Sequence, residues 1–188
     1  MDTTTTLEPG NRHAYPMVRG GGVFLATIGI ALIAGVVASG EQLVNYAVFF
    51  AGIGLATFLL ILVARRFSYG NPTRLQKNAM IGAVTLEVLL FVAQGRLLPH
   101  GTPEATRWMW VLMIVGAHFL PMVLCFGPRV LALGLFCLAN AAVGLWLNDM
   151  PVLFLLIDGS AKLAVGIWLL LDKPAKVTTP PLPSTRTS

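Results

Sequence analysis

Six blocks of apolar residues, separated by short polar or Gly/Pro-containing breaks, constrain this 188-residue chain more than any other feature. Each block is roughly 17–22 residues long, the length at which an α-helix crosses the hydrocarbon core of a bilayer. A segment in lipid has no water to satisfy its backbone, so each block must form helix. Composition agrees. The chain is 56% hydrophobic and only 11% charged, with a mean hydropathy of +0.77. A soluble domain carries about 25% charged residues. The sequence therefore predicts an all-α, polytopic membrane helix bundle with six transmembrane helices.

The expected spans run over about 22–39, 43–64, 79–98, 108–126, 130–147 and 152–171, each closed by a breaker. These are Gly40-Glu41, Arg65-Arg66, Pro99-His100-Gly101, Gly127-Pro128-Arg129, Asn148-Asp149 and Asp172-Lys173-Pro174. Residues 1–20 read as a disordered cytoplasmic N-terminus, 21–173 as the transmembrane domain and 174–188 as a disordered cytoplasmic tail. The first carries a Thr3–Thr6 run with Pro9-Gly10 and Pro16, the last is rich in Pro, Ser and Thr, and both have little to bury.

An even number of crossings puts both termini on one face. Arg12, Arg19, Arg65, Arg66, Arg74, Lys77, Arg129, Lys173, Lys176 and Arg186 fall on that face, against Arg96 and Arg107 on the other. The positive-inside rule then orients the chain N-in and C-in, as a multi-pass protein of the cell inner membrane. The same rule accounts for the net charge of +5, so no nucleic-acid partner is expected. Trp108 and Trp110 read as interfacial anchors of the fourth span. The first span also imitates a secretory signal, with Arg12 and Arg19 before an apolar run and Val36-Val37-Ala38 before Ser39. Its length and its long polar leader favour retention, and cleavage would leave five spans.

No P-loop, HExxH, GxSxG, GxGxxG or CxxC is present, and proline spoils the sequon-like Asn71-Pro72-Thr73. Cys125 and Cys137 lie inside apolar blocks and read as core residues. The two halves of the chain show no aligned repeat. A non-enzymatic role is expected.

Polar groups inside spans are costly in lipid, which makes each a functional candidate. Five reach similar mid-depth: Glu87 in the third span, His118 in the fourth, Asn140 in the fifth, and Asp158 and Lys162 in the sixth. Asp158, Lys162 and Gly166 recur every four residues and share a stripe. The pair is either self-neutralised structure or a switch on a solute or proton pathway. Glu87 decides: if it points at Lys162, two carboxylates share one ammonium, and the surplus one tends to keep a proton or bind a cation. Gln94 shares the face of Glu87, while Arg96 turns away and can snorkel.

His118 precedes Pro121, which removes the amide that would bond the Ala117 carbonyl and marks a helix kink. The histidine is either hydrogen-bonded to Asn140 or a carboxylate, or a proton shuttle. Bis-histidine haem ligation lacks a second intramembrane histidine, and zinc held by Glu87, His118 and Asp158 would be opposed by Lys162. No cofactor and no metal are expected. Small residues at four-residue spacing (Ala31, Gly35 and Ser39; Ala34 and Ala38; Ala47 and Ala51) offer close helix packing or a docking face for another membrane protein.

The Asn71-Pro72 loop before the third span and Gly116-Ala117-His118-Phe119-Leu120-Pro121 in the fourth resemble small bacterial integral membrane proteins of domain-of-unknown-function families. These carry an Asn-Pro loop and a Gly-x-His-Phe-x-Pro helix. The resemblance covers the middle half of the chain and omits Asp158 and Lys162. It implies a bacterial inner-membrane bundle, gives weight to His118 and Pro121, and brings no activity.

Two functional readings follow. One is a small-solute or proton-linked carrier in which Glu87 or Asp158 takes the proton, Lys162 is the counter-charge, and His118 and Asn140 orient the solute. The alternative is an intramembrane interaction protein with a membrane-protein partner or a second copy, such as an immunity protein against a pore-forming toxin or a regulatory subunit. A membrane enzyme ranks third, because the ionisable groups lie at mid-depth rather than at an interface.

Overall fold

The computed structural model describes residues 15–67, 71–147 and 149–171. They form six helices: α1 (Val18–Val37), α2 (Tyr46–Phe67), α3 (Arg74–Leu97), α4 (Glu104–Phe126), α5 (Pro128–Leu147) and α6 (Pro151–Leu171). All six are long and apolar enough to cross a membrane. The expected disorder of residues 1–14 and of the tail from residue 172 lies outside the described residues. Residues 18–20, expected within the polar leader, are already helical.

Five helices begin earlier than their apolar blocks, three of them by four residues or more, and α2 begins three residues later. α3 starts at Arg74 because Thr73 and Gln76 form a capping box. The Gln76 amide donates to Thr73 Oγ1 at 3.2 Å and the Thr73 amide donates to Gln76 Oε1 at 3.0 Å. α4 starts at Glu104, directly after Pro103, with a carboxylate in the first turn. α1 starts at Val18, where its first glycines already pack against neighbours. Hydropathy marks the part of a helix that lipid requires, and capping carries the helix beyond it.

α1, α4, α5 and α6 form the centre. α1 packs most closely on α6 and α4 on α5, whereas α1 and α4 barely touch. α2 lies against α1, α3 lies against α4, and α2 and α3 make no contact with each other. The core divides along the axis. One cluster gathers Val18, Leu25, Phe119, Met122 and Leu169, and a second gathers Leu32, Val36, Leu112, Phe154 and Leu155.

Between α1 and α6 the backbones meet. A Cβ on Gly22 would stand 2.9 Å from the Gly166 carbonyl oxygen, and one on Gly29 would stand 2.5 Å from that of Gly159. Lipid supplies no hydrophobic drive for helices to associate, so such close backbone approach is what holds them together. The small-residue stripes are divided in use. Ala31 fills the space beside Gly52 of α2, and Gly35 lies under Val44. Ala38, Ala47 and Ala51 are exposed. In the connection between α1 and α2, Gly40 takes φ 59° and Asn45 caps α2 by accepting from the Val48 amide at 3.2 Å.

Gly29→Leu therefore destabilises the detergent-solubilised protein by at least ~1–3 kcal/mol, the usual cost of overpacking. Gly54→Leu, where an added side chain meets nothing within 4 Å, leaves stability unchanged. Thermal unfolding of both variants checks the contrast.

Candidate functional site

The polar residues expected at mid-depth separate into three places. Asp158 and Lys162 form the first. They pair along one face of α6, with Lys162 Nζ donating to Asp158 Oδ2, and the two side chains are 0% and 2% exposed respectively. The pair is fully enclosed, and Asp158 Oδ1 is left without a hydrogen-bond partner. Asn140 of α5 forms the second. Its Nδ2 donates to the Phe154 carbonyl at 2.9 Å, which ties α5 to the start of α6. It faces neither His118 nor the charged pair as a hydrogen-bond partner.

Glu87 and His118 form the third place, and only they line a cavity. Glu87 Oε2 of α3 lies 3.6 Å from His118 Nδ1 of α4. The carboxylate side chain is 22% exposed and the histidine side chain 8%. Neither ring nitrogen of His118 has a hydrogen-bond partner, although the ring is buried. Phe119 stacks obliquely beside it with ring centroids 5.0 Å apart. A buried ring with both nitrogens unsatisfied is costly unless water or a ligand supplies the missing bond.

The cavity measures about 410 Å³. α1 supplies its floor through Phe24, Leu25 and Ile28. α2 contributes Phe49, Phe50 and Ile53, and α3 and α4 complete the wall with Phe91, Val111 and Val115. α2 and α3 both line the cavity without close backbone contact between them.

Polar groups close one end of this cavity, about 16 Å along α4 from His118 at ~1.5 Å per residue. Tyr46 Oη donates to Glu104 Oε1 at 3.2 Å, and Trp108 Nε1 donates to the same oxygen at 3.3 Å. Arg107 turns its guanidinium away, donating to the His100 carbonyl at 2.6 Å and the Pro99 carbonyl at 3.5 Å. Gln94 donates to the Arg107 carbonyl at 2.9 Å, so the face shared by Glu87 and Gln94 is the face α3 turns to α4.

The structure answers one question that the sequence leaves open and corrects one expectation. Glu87 does not pair with Lys162, whose partner is its own helix neighbour; the side chain beside the carboxylate is His118. Glu87, His118 and Asp158 are not gathered, and among the described residues no cluster of three His, Cys, Asp or Glu side chains could hold a metal ion. Trp108 is no membrane anchor. It is 4% exposed and packs against Tyr46 and Phe49, whereas Trp110 is exposed. Pro121 sits inside an α4 that continues unbroken to Phe126.

Sequence reasoning missed Gln76. Beyond its capping role it donates to the Leu124 carbonyl at 3.0 Å, and Cys125 Sγ donates to the Gln76 carbonyl at 3.2 Å. These bonds fasten the start of α3 to the end of α4. Thr73-x-x-Gln76 was the signal available for it. Tyr46 and Arg107 were missed as well, since nothing along the chain shows that the starts of α2 and α4 meet.

Residues 8–178 match the model of a family of unknown function, DUF6609, which takes in all six helices, Glu87 and His118 and also the Asp158–Lys162 pair. The chain belongs to the DUF6609 family. No curated protein and no solved structure matches it. Membership agrees with the resemblance drawn from Asn71-Pro72 and the His118 helix, and extends it over the sixth helix. The DUF6609 assignment carries no activity, so the chemistry rests on the geometry.

That geometry encloses the Asp158–Lys162 pair completely. Lys162→Met alone leaves a buried carboxylate uncompensated and costs about 3–5 kcal/mol. The double variant Asp158→Asn with Lys162→Met recovers most of that loss. A double-mutant cycle on thermal unfolding measures it.

Proposed function

We propose that this protein is a non-enzymatic, proton-linked carrier of a small solute, working in the bacterial inner membrane with both termini cytoplasmic. The observation that supports this reading is the placement of Glu87. It is the one mid-span carboxylate of the two that lines a cavity, with a hydrogen-bonding group beside it that no protein partner satisfies. Ionisable residues inside membrane spans face the bundle interior or a cavity and mark ion and proton pathways. Discontinuity of packing supports it too. α1 and α4 barely touch where the cavity lies, so α2 with α1 and α3 with α4 are two units that can rock about that seam.

In this reading Glu87 alternately holds a proton and the solute, and His118 supplies a donor or acceptor to whichever is bound. Asp158 and Lys162, first considered as part of the pathway, instead hold α6 in the centre. Asn140 belongs with them as a structural residue.

The test is proton flux into proteoliposomes under an imposed pH gradient. Wild-type protein dissipates the gradient, and Glu87→Gln does so slower by about tenfold or more, a barrier change of ~1.4 kcal/mol or above. The variant must elute from a sizing column as the wild type does. A correctly folded Glu87→Gln with undiminished flux, or a wild type that passes no protons, contradicts the reading.

A further inference from the structure

We propose that the cavity between α2 and α3 binds amphiphilic organic cations, taken up sideways from the bilayer, with Glu87 as their counter-ion. This names the solute class of the carrier reading and rests on the same site.

Charge comes first. The side chains that line the cavity at mid-depth include one carboxylate, Glu87, and no fixed cation. The two nearest candidates are engaged elsewhere. Lys162 is enclosed with Asp158, and the Arg107 guanidinium, at the far end of the cavity, donates to the His100 and Pro99 carbonyls. His118 stands 3.6 Å from the carboxylate, beyond the 2.7–3.2 Å of a formed N–H···O bond. The carboxylate thus has capacity left for a ligand, and an anion seated at mid-depth would meet its repulsion.

The walls narrow the class further. Phe24, Phe49, Phe50, Phe91 and Trp108 line the cavity, with Phe91 one turn along α3 from Glu87 and Trp108 at the far end. Aromatic faces within about 6 Å attract an organic cation through the ring quadrupole. A bare metal ion would leave those faces unused, and it needs about six or more oxygen ligands, which one carboxylate cannot supply. A polar zwitterion would lose its hydration against apolar walls without replacement bonds. A cation whose charge is buried within hydrocarbon groups matches both the carboxylate and the rings.

Size and access agree. A volume of about 410 Å³ falls in the range of ~300–1,000 Å³ typical of small-molecule sites. The lack of close backbone contact between α2 and α3 is the proposed route from the lipid, where amphiphilic cations concentrate. The unpartnered nitrogens of His118, a residue 6% exposed, provide a hydrogen bond for ligands that carry an N–H or a hydroxyl.

The experiment is calorimetric titration of the purified full-length protein in mild detergent with tetraphenylphosphonium, alongside its isosteric anion tetraphenylborate. Saturable one-to-one binding of the cation is expected, with no matching binding of the anion. Glu87→Gln weakens it by about tenfold or more, and Glu87→Asp keeps most of it. Ile53→Trp, which fills the cavity while leaving Glu87 intact, also removes binding. Equal binding of the anion, unchanged binding in Glu87→Gln or Ile53→Trp, or no binding by monodisperse wild-type protein each overturns the proposal. Absent cation binding with Glu87-dependent proton flux defeats this ligand class alone. Cation binding without proton flux defeats the carrier reading and leaves the binding site standing.

Discussion

The close backbone approach of α1 and α6 is the contact on which the rest of the bundle depends. Gly22 and Gly29 on one helix and Gly159 and Gly166 on the other let the two main chains nearly touch. That contact closes the centre around Asp158 and Lys162 and allows two opposite charges to be carried through lipid at full burial. It also draws α1 towards α6 and away from α4. The seam between α1 and α4 is consequently thin, and the cavity occupies it. One packing choice therefore seals one ionisable pair and opens another.

The consequence is a division of labour between two pairs that look alike along the chain. Asp158 and Lys162 pair within one helix at full burial, with Asp158 Oδ1 left unpartnered. Glu87 and His118 come from different helices, stand further apart and lack further hydrogen bonds. A pair closed within one helix and sealed from any cavity stabilises; a pair split between two helices beside a cavity invites a ligand or a proton. The polar cap of Tyr46, Glu104 and Trp108 at the cavity end fastens α2 to α4 where α2 lacks contact with α3.

Much of the architecture was legible along the chain because lipid imposes one rule on every span. Six apolar blocks gave six helices, with ends misjudged by up to five residues, most at α3, where capping by Thr73 and Gln76 extends the helix past its apolar stretch. The site was legible by residue and not by grouping. Glu87 and His118 were both candidates from depth alone, and so was the i,i+4 pairing of Asp158 with Lys162. Depth counting has one dimension, however. It could not tell that Asn140 turns to the Phe154 carbonyl, that Glu87 meets His118 rather than Lys162, or that Trp108 points inward. Helix adjacency decides those questions, and it is set by the glycines of α1 and α6, spaced seven apart and easily passed over beside the denser alanine stripes.

The central claim is that Glu87 is reached from the bilayer while Asp158 is sealed. A lipid-soluble carbodiimide, applied to the protein in native membranes and followed by peptide mass spectrometry, tests it most directly. The account predicts a covalent adduct on Glu87, none on Asp158, and protection of Glu87 when the cavity is filled by Ile53→Trp. An adduct on Asp158, or an unmodified Glu87 in the wild-type protein, would contradict it.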